Sequence, residues 1–406
     1  MLRCGLLGER LVHSYSPQIH SFLGDYEYKL YEKSKEEVVD FLKNGEWDAL
    51  NVTIPYKKVA AECCDEMSET ARILKSVNTL VKRDGKIFGD NTDYFGFCEM
   101  VRKSGIDVFG KKTLVFGSGG TSVTVCKALA DMGADVTVIS RSGENNYNNL
   151  ERHSDAMVIV NTTPVGMYPN NGSACVDLKL FPECEGVLDV IYNPLRTSLL
   201  LQAESLNIKH LNGLYMLCAQ AKKSAEIFTG SIIDDSRTDY IFNKLSCEMG
   251  NIILIGMPGC GKSAIARELG RLLNREVIEL DDKIANSAEK SIPKIFEDVG
   301  EQGFRRLETE QTAIYSKLSG KVISTGGGCV TVAENYGLLH QNGVIVWIKR
   351  DISKLPKDSR PISLKSDLYE LYNRRKPYYE RFADFSIEND QTIEKAALKI
   401  VQLLKA

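Results

Sequence analysis

The 406-residue sequence predicts an α/β protein throughout, divided into more than one domain. Three observations carry that reading. Strand-like and helix-like apolar patterns alternate along the first hundred residues, a second alternation starts near Lys111, and an apolar run at Asn251 feeds a glycine-rich loop and a helix. Length agrees, because single cores stop growing near roughly 250–300 residues. A loop of the last kind normally opens its domain, so its late position implies a separate domain before it.

In chain order, "LRCGLLG" and "WDALNVTIP" read as buried strands, and "KEEVVDFLKNG" between them has helical spacing closed by a glycine. From Lys111, "KTLVFGSGG", "ADVTVISRS", "AMVIVNTTP" and "GVLDVIY" read as four strands. The gaps leave room for helices, the pattern of parallel βαβ units. "LYMLCAQAKKSAEIFTG" reads as an amphipathic helix with a glycine stop. Residues 231–250 mix polar and apolar types without a clean period, which predicts a linker over 236–249. From Asn251 a third α/β unit runs on, and the chain has no internal repeat or low-complexity segment.

Composition excludes several classes. With 43% hydrophobic and 26% charged residues and a net charge of −3, there is no electrostatic footprint for nucleic acid or an anionic membrane. No apolar run approaches the roughly 18 residues a membrane span needs, and "MLRCGLLGERLVHSYS" is too short and interrupted for a signal peptide. Eleven scattered cysteines, an odd number, predict reduced thiols and a cytoplasmic protein. Small molecules are the expected partners, and oligomeric state is left open.

Residues 256–263, "GMPGCGKS", satisfy G-x-x-x-x-G-K-[ST]. Gly256, Gly259 and Gly261 let backbone N–H groups converge on phosphate oxygens, Lys262 reaches the outer phosphates, and Ser263 ligates Mg²⁺. The strand before and the helix after set this apart from a fortuitous glycine turn and predict an ATP site in a P-loop domain. A second glycine loop, "GSGGTS", follows the strand "KTLVF", with Gly117, Gly119 and Gly120 placed for a dinucleotide and Ser122 standing where a third glycine or alanine is usual. About twenty residues on, where an NAD enzyme places a carboxylate, the chain has Ser140, Arg141 and Ser142. A carboxylate would repel a 2′-phosphate; arginine and hydroxyls bind it, so a Rossmann domain for NADP(H) is expected.

Behind the P-loop come "VIELDDKI", "GEQGFRRLE", "STGGGC", "DSRPIS" and "RRKPYYERFAD". Alone, "FRRLE" also fits a solvated helix face and "GGG" a flexible turn. In this order and spacing the set resembles shikimate kinase over residues 250–390. The resemblance implies Asp281 on the substrate hydroxyls, Arg305 and Arg375 on the substrate carboxylate, Gly326, Gly327 and Gly328 where backbone approaches substrate, and Arg360 as a lid arginine on the phosphates. The family's usual D-x-D is Glu279-Leu280-Asp281 here, so Glu279 takes the place of the carboxylate that supports the metal.

"HSYSPQIHSF" offers two serine hydroxyls at a strand-to-helix turn, suited to a small carboxylate and equally to capping. "NVTIPYK", "SVNTL", "GDNTDYFGF", "DVIYNPLRT" and "NGLYMLCAQA" follow in order. Together they resemble shikimate dehydrogenase across residues 1–230. The resemblance implies Ser14, Ser16, Thr53, Asn78, Asp93 and Gln220 around the substrate, Lys57 and Asp93 as the catalytic pair, and Tyr192 close by. Lys57, which by itself fits an ordinary surface lysine at a helix start, would then donate the proton that ketone reduction needs.

The expected architecture is a dehydrogenase substrate domain at 1–100 completed by 213–235, a Rossmann domain at 101–212, a linker at 236–249 and a P-loop kinase domain at 250–406. The expected function is bifunctional: NADPH-dependent reduction of 3-dehydroshikimate to shikimate, then ATP- and Mg²⁺-dependent phosphorylation. The alternatives are that one half binds its ligand without catalysis, or that the dehydrogenase uses quinate and NAD.

Overall fold

Three sheets organise the chain, one for each alternation in the sequence. The structure is a computed structural model and describes residues 1–11, 14–355 and 368–404.

The first sheet holds β1 (Arg3–Gly8), β2 (Glu27–Glu32), β3 (Ala49–Val52), β4 (Glu66–Met67), β5 (Thr79–Arg83) and β6 (Lys86–Asp90), in the order β2-β1-β3-β5-β6-β4. It is mixed: β1 is parallel to β2 and β3, while β5 is antiparallel to β3 and β6. The β5–β6 hairpin turns on Asp84 and Gly85, both at positive φ, as a tight two-residue turn requires. The helices α1 (Ser16–His20), α2 (Val38–Asn44), α3 (Lys57–Glu62) and α4 (Glu69–Leu74) belong to this part. Trp47, Leu50, Leu80 and Leu7 fill its core.

Next comes α5 (Thr92–Ser104). The Asn91 side chain accepts from the Tyr94 N–H at its start, and Gly105 closes it in the left-handed conformation. The second sheet contains β7 (Lys112–Phe116), β8 (Asp135–Ile139), β9 (Val158–Asn161), β10 (Gly186–Asp189) and β11 (Lys209–Asn212). It is parallel throughout, in the order β11-β10-β9-β7-β8, so strand order reverses beside β7. Crevices at such reversals are where open α/β sheets take ligands. The helices here are α6 (Gly120–Asp131), α7 (Ser198–Ser205) and α8 (Leu214–Thr229), the last ended by Gly230 at φ +70°.

Residues 236–249, predicted as a linker without a clean period, form a helix, α9 (Ser236–Met249). Ile241, Leu245 and Met249 recur every four residues and are buried, a narrow stripe masked in the sequence by the polar and aromatic residues around it.

The third sheet comprises β12 (Asn251–Ile255), β13 (Val277–Glu279), β14 (Val322–Ser324), β15 (Gly343–Lys349) and β16 (Phe385–Glu388), all parallel, in the order β13-β14-β12-β15-β16. Every residue of β12 is buried, which is why it reads as a continuous apolar run. Around it lie α10 (Lys262–Leu273), α11 (Leu280–Ser287), α12 (Ile292–Tyr315), α13 (Glu334–His340), α14 (Leu368–Phe382) and α15 (Ile393–Leu403). Gly300, at φ +68°, breaks α12 into two helical stretches.

The chain forms two compact units. The first comprises Met1–Val165, Ala174–Tyr192 and Gln202–Lys244; the second comprises Gly166–Ser173, Asn193–Leu201 and the chain from Leu245 on. Among the described residues no helix is long and apolar enough to cross a membrane, and all the cysteines are unpaired thiols.

Candidate active sites

In the first unit, Lys57 opens α3 and Asp93 lies in the first turn of α5. Their side chains meet, Lys57 Nζ donating to Asp93 Oδ2 at 2.5 Å, with side-chain exposures of 25% and 16%. The pair is therefore sheltered but reachable. The Lys57 carbonyl also accepts from the Val77 N–H, which brings Asn78 alongside. Asn78 Oδ1 accepts from the Thr92 N–H at 2.7 Å, and Thr92 Oγ1 lies 3.5 Å from Gln220 Oε1 on α8. Close packing of α5 on α8 is what permits this: a Cβ at Gly96 would lie 2.7 Å from the Met216 carbonyl.

Thr53 follows β3, its N–H bonded to the Leu7 carbonyl. Ser14 Oγ accepts from the Ser16 N–H at 3.2 Å, so the serine turn braces its own backbone, while Tyr15, the residue at the helix cap, makes no side-chain cap bond. Ser16 is buried at the start of α1, and Tyr192 meets Tyr15 edge-on with ring centroids 6.2 Å apart. Burial pushes the Tyr192 phenol up. Lys57, Asp93, Asn78 and Gln220 thus form one cluster, while Ser14, Ser16 and Tyr192 gather at the turn before α1.

The loop after β7 fits a dinucleotide. Gly117 has φ +113°, and a Cβ there would strike Thr162 Oγ1. Gly119 caps α6, and a Cβ on Gly119 or Gly120 would meet nothing within 4 Å, leaving the helix N-terminus open to a pyrophosphate. Ser122, in the place of the usual third glycine, donates to the Gly117 carbonyl at 2.6 Å and ties the loop shut from behind. Just past β8, Ser140 is tied to Asn145 through its N–H, and Arg141 and Ser142 are exposed.

In the second unit, Gly256, Gly259 and Gly261 all have positive φ, the conformation that turns successive N–H groups inward. Lys262 is buried and donates to the Gly256 and Met257 carbonyls at 2.8 and 3.1 Å. Ser263 donates to Glu279 Oε2 at 2.9 Å, and Glu279 Oε1 is a buried acceptor with no hydrogen-bond partner. Hydroxyl and carboxylate oxygens in this arrangement suit a small hard cation. Glutamate in place of aspartate therefore still reaches the serine.

Asp281 lies in the first turn of α11. A Cβ at Gly326 would lie 2.5 Å from Glu308 Oε1 and 2.9 Å from Asp281 Oδ1; one at Gly327 would strike Pro258, and one at Gly328 the Arg305 guanidinium. The glycine run thus fits closely against the side chains it adjoins, most rigidly at Gly327. Arg305 donates to Glu308 at 2.6 Å and to Glu301 at 3.3 Å. Burial opposes its charge, but the two glutamates outweigh that and raise its pKa. Arg375 is 2% exposed, and burial lowers its pKa. Arg360 lies outside the described residues.

Two residues here escaped the sequence reading. Glu308 is fully buried, and that desolvation raises its pKa despite Arg305. The i,i+3 spacing to Arg305 was its signal, but it suggested a solvated face; the pair is interior. Tyr379, fully buried, donates to the Gly327 carbonyl at 2.5 Å and fixes the glycine run from α14.

Comparison with known proteins agrees with this division. The family described as shikimate dehydrogenase substrate binding domain matches residues 6–80, and shikimate kinase matches residues 258–405. The chain is 35% identical over 265 residues to a shikimate dehydrogenase (NADP(+)) of Clostridium perfringens, covering 60% of this chain and 98% of that protein. Shikimate dehydrogenase 1 from Peptoclostridium difficile superposes with a TM-score of 0.56 at 37% identity, over 61% of this chain and 99% of its own. The shikimate 5-dehydrogenase of Thermus thermophilus, solved with NADP(H) and shikimate, gives 0.56 at 30% identity, over 60% and 99%. A complete dehydrogenase and a P-loop kinase therefore share one polypeptide, and the chain belongs to the shikimate dehydrogenase family with a shikimate kinase domain fused behind it.

Proposed function

We propose that the two units catalyse consecutive reactions: NADPH-dependent reduction of 3-dehydroshikimate to shikimate, and ATP-dependent phosphorylation of the shikimate 3-hydroxyl. The dehydrogenase occupies residues 1–235 and the kinase residues 250–406. One observation supports the order. The reduction creates a hydroxylated carboxylate, and the kinase unit holds Arg305, Arg375 and Asp281 within electrostatic reach of Glu308, a set that takes a hydroxylated carboxylate.

Bound NADPH supplies the hydride in the first reaction, and ATP with Mg²⁺ supplies the phosphoryl group in the second. In the dehydrogenase, the Lys57 ammonium gives its proton to the ketone oxygen as it becomes an alkoxide, while Asp93 holds Lys57 and a substrate hydroxyl together. Asn78, Gln220 and Thr53 orient the ring, Ser14 and Ser16 bind its carboxylate, and Tyr192 lies close by. Arg141, Ser140 and Ser142 bind the 2′-phosphate, and Gly117, Gly119 and Gly120 leave room for the pyrophosphate. In the kinase, Lys262, the P-loop amides and Arg360 bind phosphate oxygens, and Ser263 with Glu279 holds the metal. Asp281 takes the proton of the attacking hydroxyl, Arg305 and Arg375 hold the carboxylate, and Gly326, Gly327 and Gly328 let the backbone close on the ring. Small soluble substrates and free thiols suit the cytoplasm.

The test is a single mixture of the protein with 3-dehydroshikimate, NADPH and ATP, followed by NADPH consumption and ADP release. Shikimate 3-phosphate should form, and Lys262→Ala should stop ADP release while NADPH is still consumed. Accumulated shikimate without ADP would mean that the second unit binds without catalysis. Faster turnover of quinate with NAD would reassign the first.

A further inference from the structure

Behind the dehydrogenase cleft lies a closed set of neutral polar side chains drawn from four elements. At its centre is Ser224 on α8, which is fully buried. Its Oγ donates to the Gln220 carbonyl at 2.9 Å and lies 2.8 Å from Asn51 Nδ2, 2.8 Å from Thr79 Oγ1 and 2.9 Å from Thr92 Oγ1. Asn51 ends β3 beside Val52, Thr79 opens β5, and Thr92 opens α5. One hydroxyl therefore ties two strands to two helices.

Counting hydrogens narrows the directions. Ser224 has one hydrogen, and the Gln220 carbonyl takes it, so Oγ can only accept from the other three neighbours. Asn51 Nδ2 fills one lone pair and a threonine hydroxyl fills the other. The other threonine hydroxyl can turn to its partner threonine, 3.0 Å away, or to Asn78 Oδ1, which lies 3.1 Å from Thr79 Oγ1 and 3.2 Å from Thr92 Oγ1 and already accepts from the Thr92 N–H at 2.7 Å. Flipping the Asn78 amide would set its NH₂ against that N–H, donor against donor. Its oxygen therefore faces inward, and its NH₂ is the end left for a ligand. Gln220 belongs to the same set through its carbonyl and through Thr92.

We propose that Ser224 is a positioning residue for the dehydrogenase substrate: its buried hydroxyl ties α8, which carries Gln220, to Thr79 and Thr92 on either side of Asn78, and so holds the Gln220 and Asn78 side chains in register to receive the ring. The inference rests on Asn78 and Gln220 being substrate ligands. No charge is involved, so the arrangement is set before any ligand arrives and holds across the neutral pH range.

The experiment uses the full chain with shikimate and NADP⁺. Ser224→Ala should raise the KM for shikimate about tenfold, the scale of one lost buried hydrogen bond, and leave the KM for NADP⁺ and the kinase activity unchanged. Asn78→Ala and Gln220→Ala should each raise the same KM, and Ser224→Ala added to Asn78→Ala should cost less than Ser224→Ala alone, because part of its effect runs through Asn78. Additive losses in the double variant, or a Ser224→Ala protein that melts earlier with its shikimate KM intact, would reduce Ser224 to a packing residue and overturn the proposal. Unchanged KM values in Asn78→Ala and Gln220→Ala would instead overturn the reading of the cleft, and the proposal with it. If Ser224→Ala is too unstable to assay, Thr79→Val deletes another hydroxyl of the set with little change of shape and reads the same coupling.

Discussion

The two substrate sites recognise similar small acids with opposite materials. Behind the dehydrogenase cleft, Asn51, Asn78, Thr79, Thr92 and Ser224 are neutral and hydrogen-bonded to one another. The kinase site is ionic: Arg305, Arg375, Asp281 and Glu308 crowd together, and Glu308 Oε1 and Arg305 Nε are buried without hydrogen-bond partners. A satisfied neutral network holds one geometry by itself. Buried charges with unmade bonds gain those bonds when a ligand arrives, at a standing cost in desolvation. A site that must also hold the phosphates of ATP needs such positive charge near an anionic acceptor; a site that handles hydride does not.

The largest break in this comparison is at the dehydrogenase's Lys57–Asp93 ion pair. Lys57→Ala should lower reductase turnover roughly 10²–10⁴-fold, the worth of a positioned general acid, and spare the kinase. More than a tenth of the turnover retained would make Lys57 a binding residue only. Next is Arg375→Ala, expected to raise the shikimate KM of the kinase about thirtyfold or more with ATP little affected, since removing one partner of a buried charged contact costs roughly 2–5 kcal/mol. Shikimate analogues without the carboxylate should barely notice the change. If ATP weakens instead, Arg375 serves the nucleotide and Arg305 carries the carboxylate.

Smaller effects sharpen the neutral side. Arg141 is exposed, so Arg141→Ala should cost NADPH about fivefold in affinity and NADH almost nothing, the scale of a solvent-screened charge contact. Equal losses for both cofactors would make it structural. The smallest effect concerns pH. His20 is buried, stacked on Tyr28 at 4.1 Å with Nδ1 2.6 Å from Tyr26 Oη, and burial lowers its pKa from 6.5 to about 3. It stays neutral in the fold while the unfolded chain protonates it below pH 6.5. This part of the stability is therefore complete above pH 6.5 and is lost as pH falls toward 3, with a slope of up to about one proton. The temperature at which reductase activity disappears should follow that trend, and His20→Gln should flatten it.

Much of this was legible in the chain. The loops after β7 and β12 are local devices, in which glycines at positive φ between a buried strand and a helix leave a spaced signature. The Lys57–Asp93 pair was legible only through resemblance, because 36 residues separate its members and nothing in either stretch points at the other. Glu308 and Ser224 were not singled out. A glutamate three residues from an arginine and a serine in an amphipathic helix look ordinary until tertiary packing buries them completely. The helix α9 was missed for a related reason, since its stripe is three residues wide and gains meaning only from the surface it covers.

The glycine run at 326–328 has a consequence for how this chain can vary. Each of the three positions faces a different neighbour: a carboxylate pair, the Pro258 ring of the phosphate loop, and a guanidinium. No single compensating change elsewhere could make room at all three, and Tyr379 pins the middle carbonyl from the far side. Even alanine, the smallest departure, meets a different neighbour at each position: the rigid Pro258 ring at the middle one and movable side-chain ends at the other two. Variation is therefore most restricted at Gly327, while Gly326 and Gly328 can change only together with the side chains that face them.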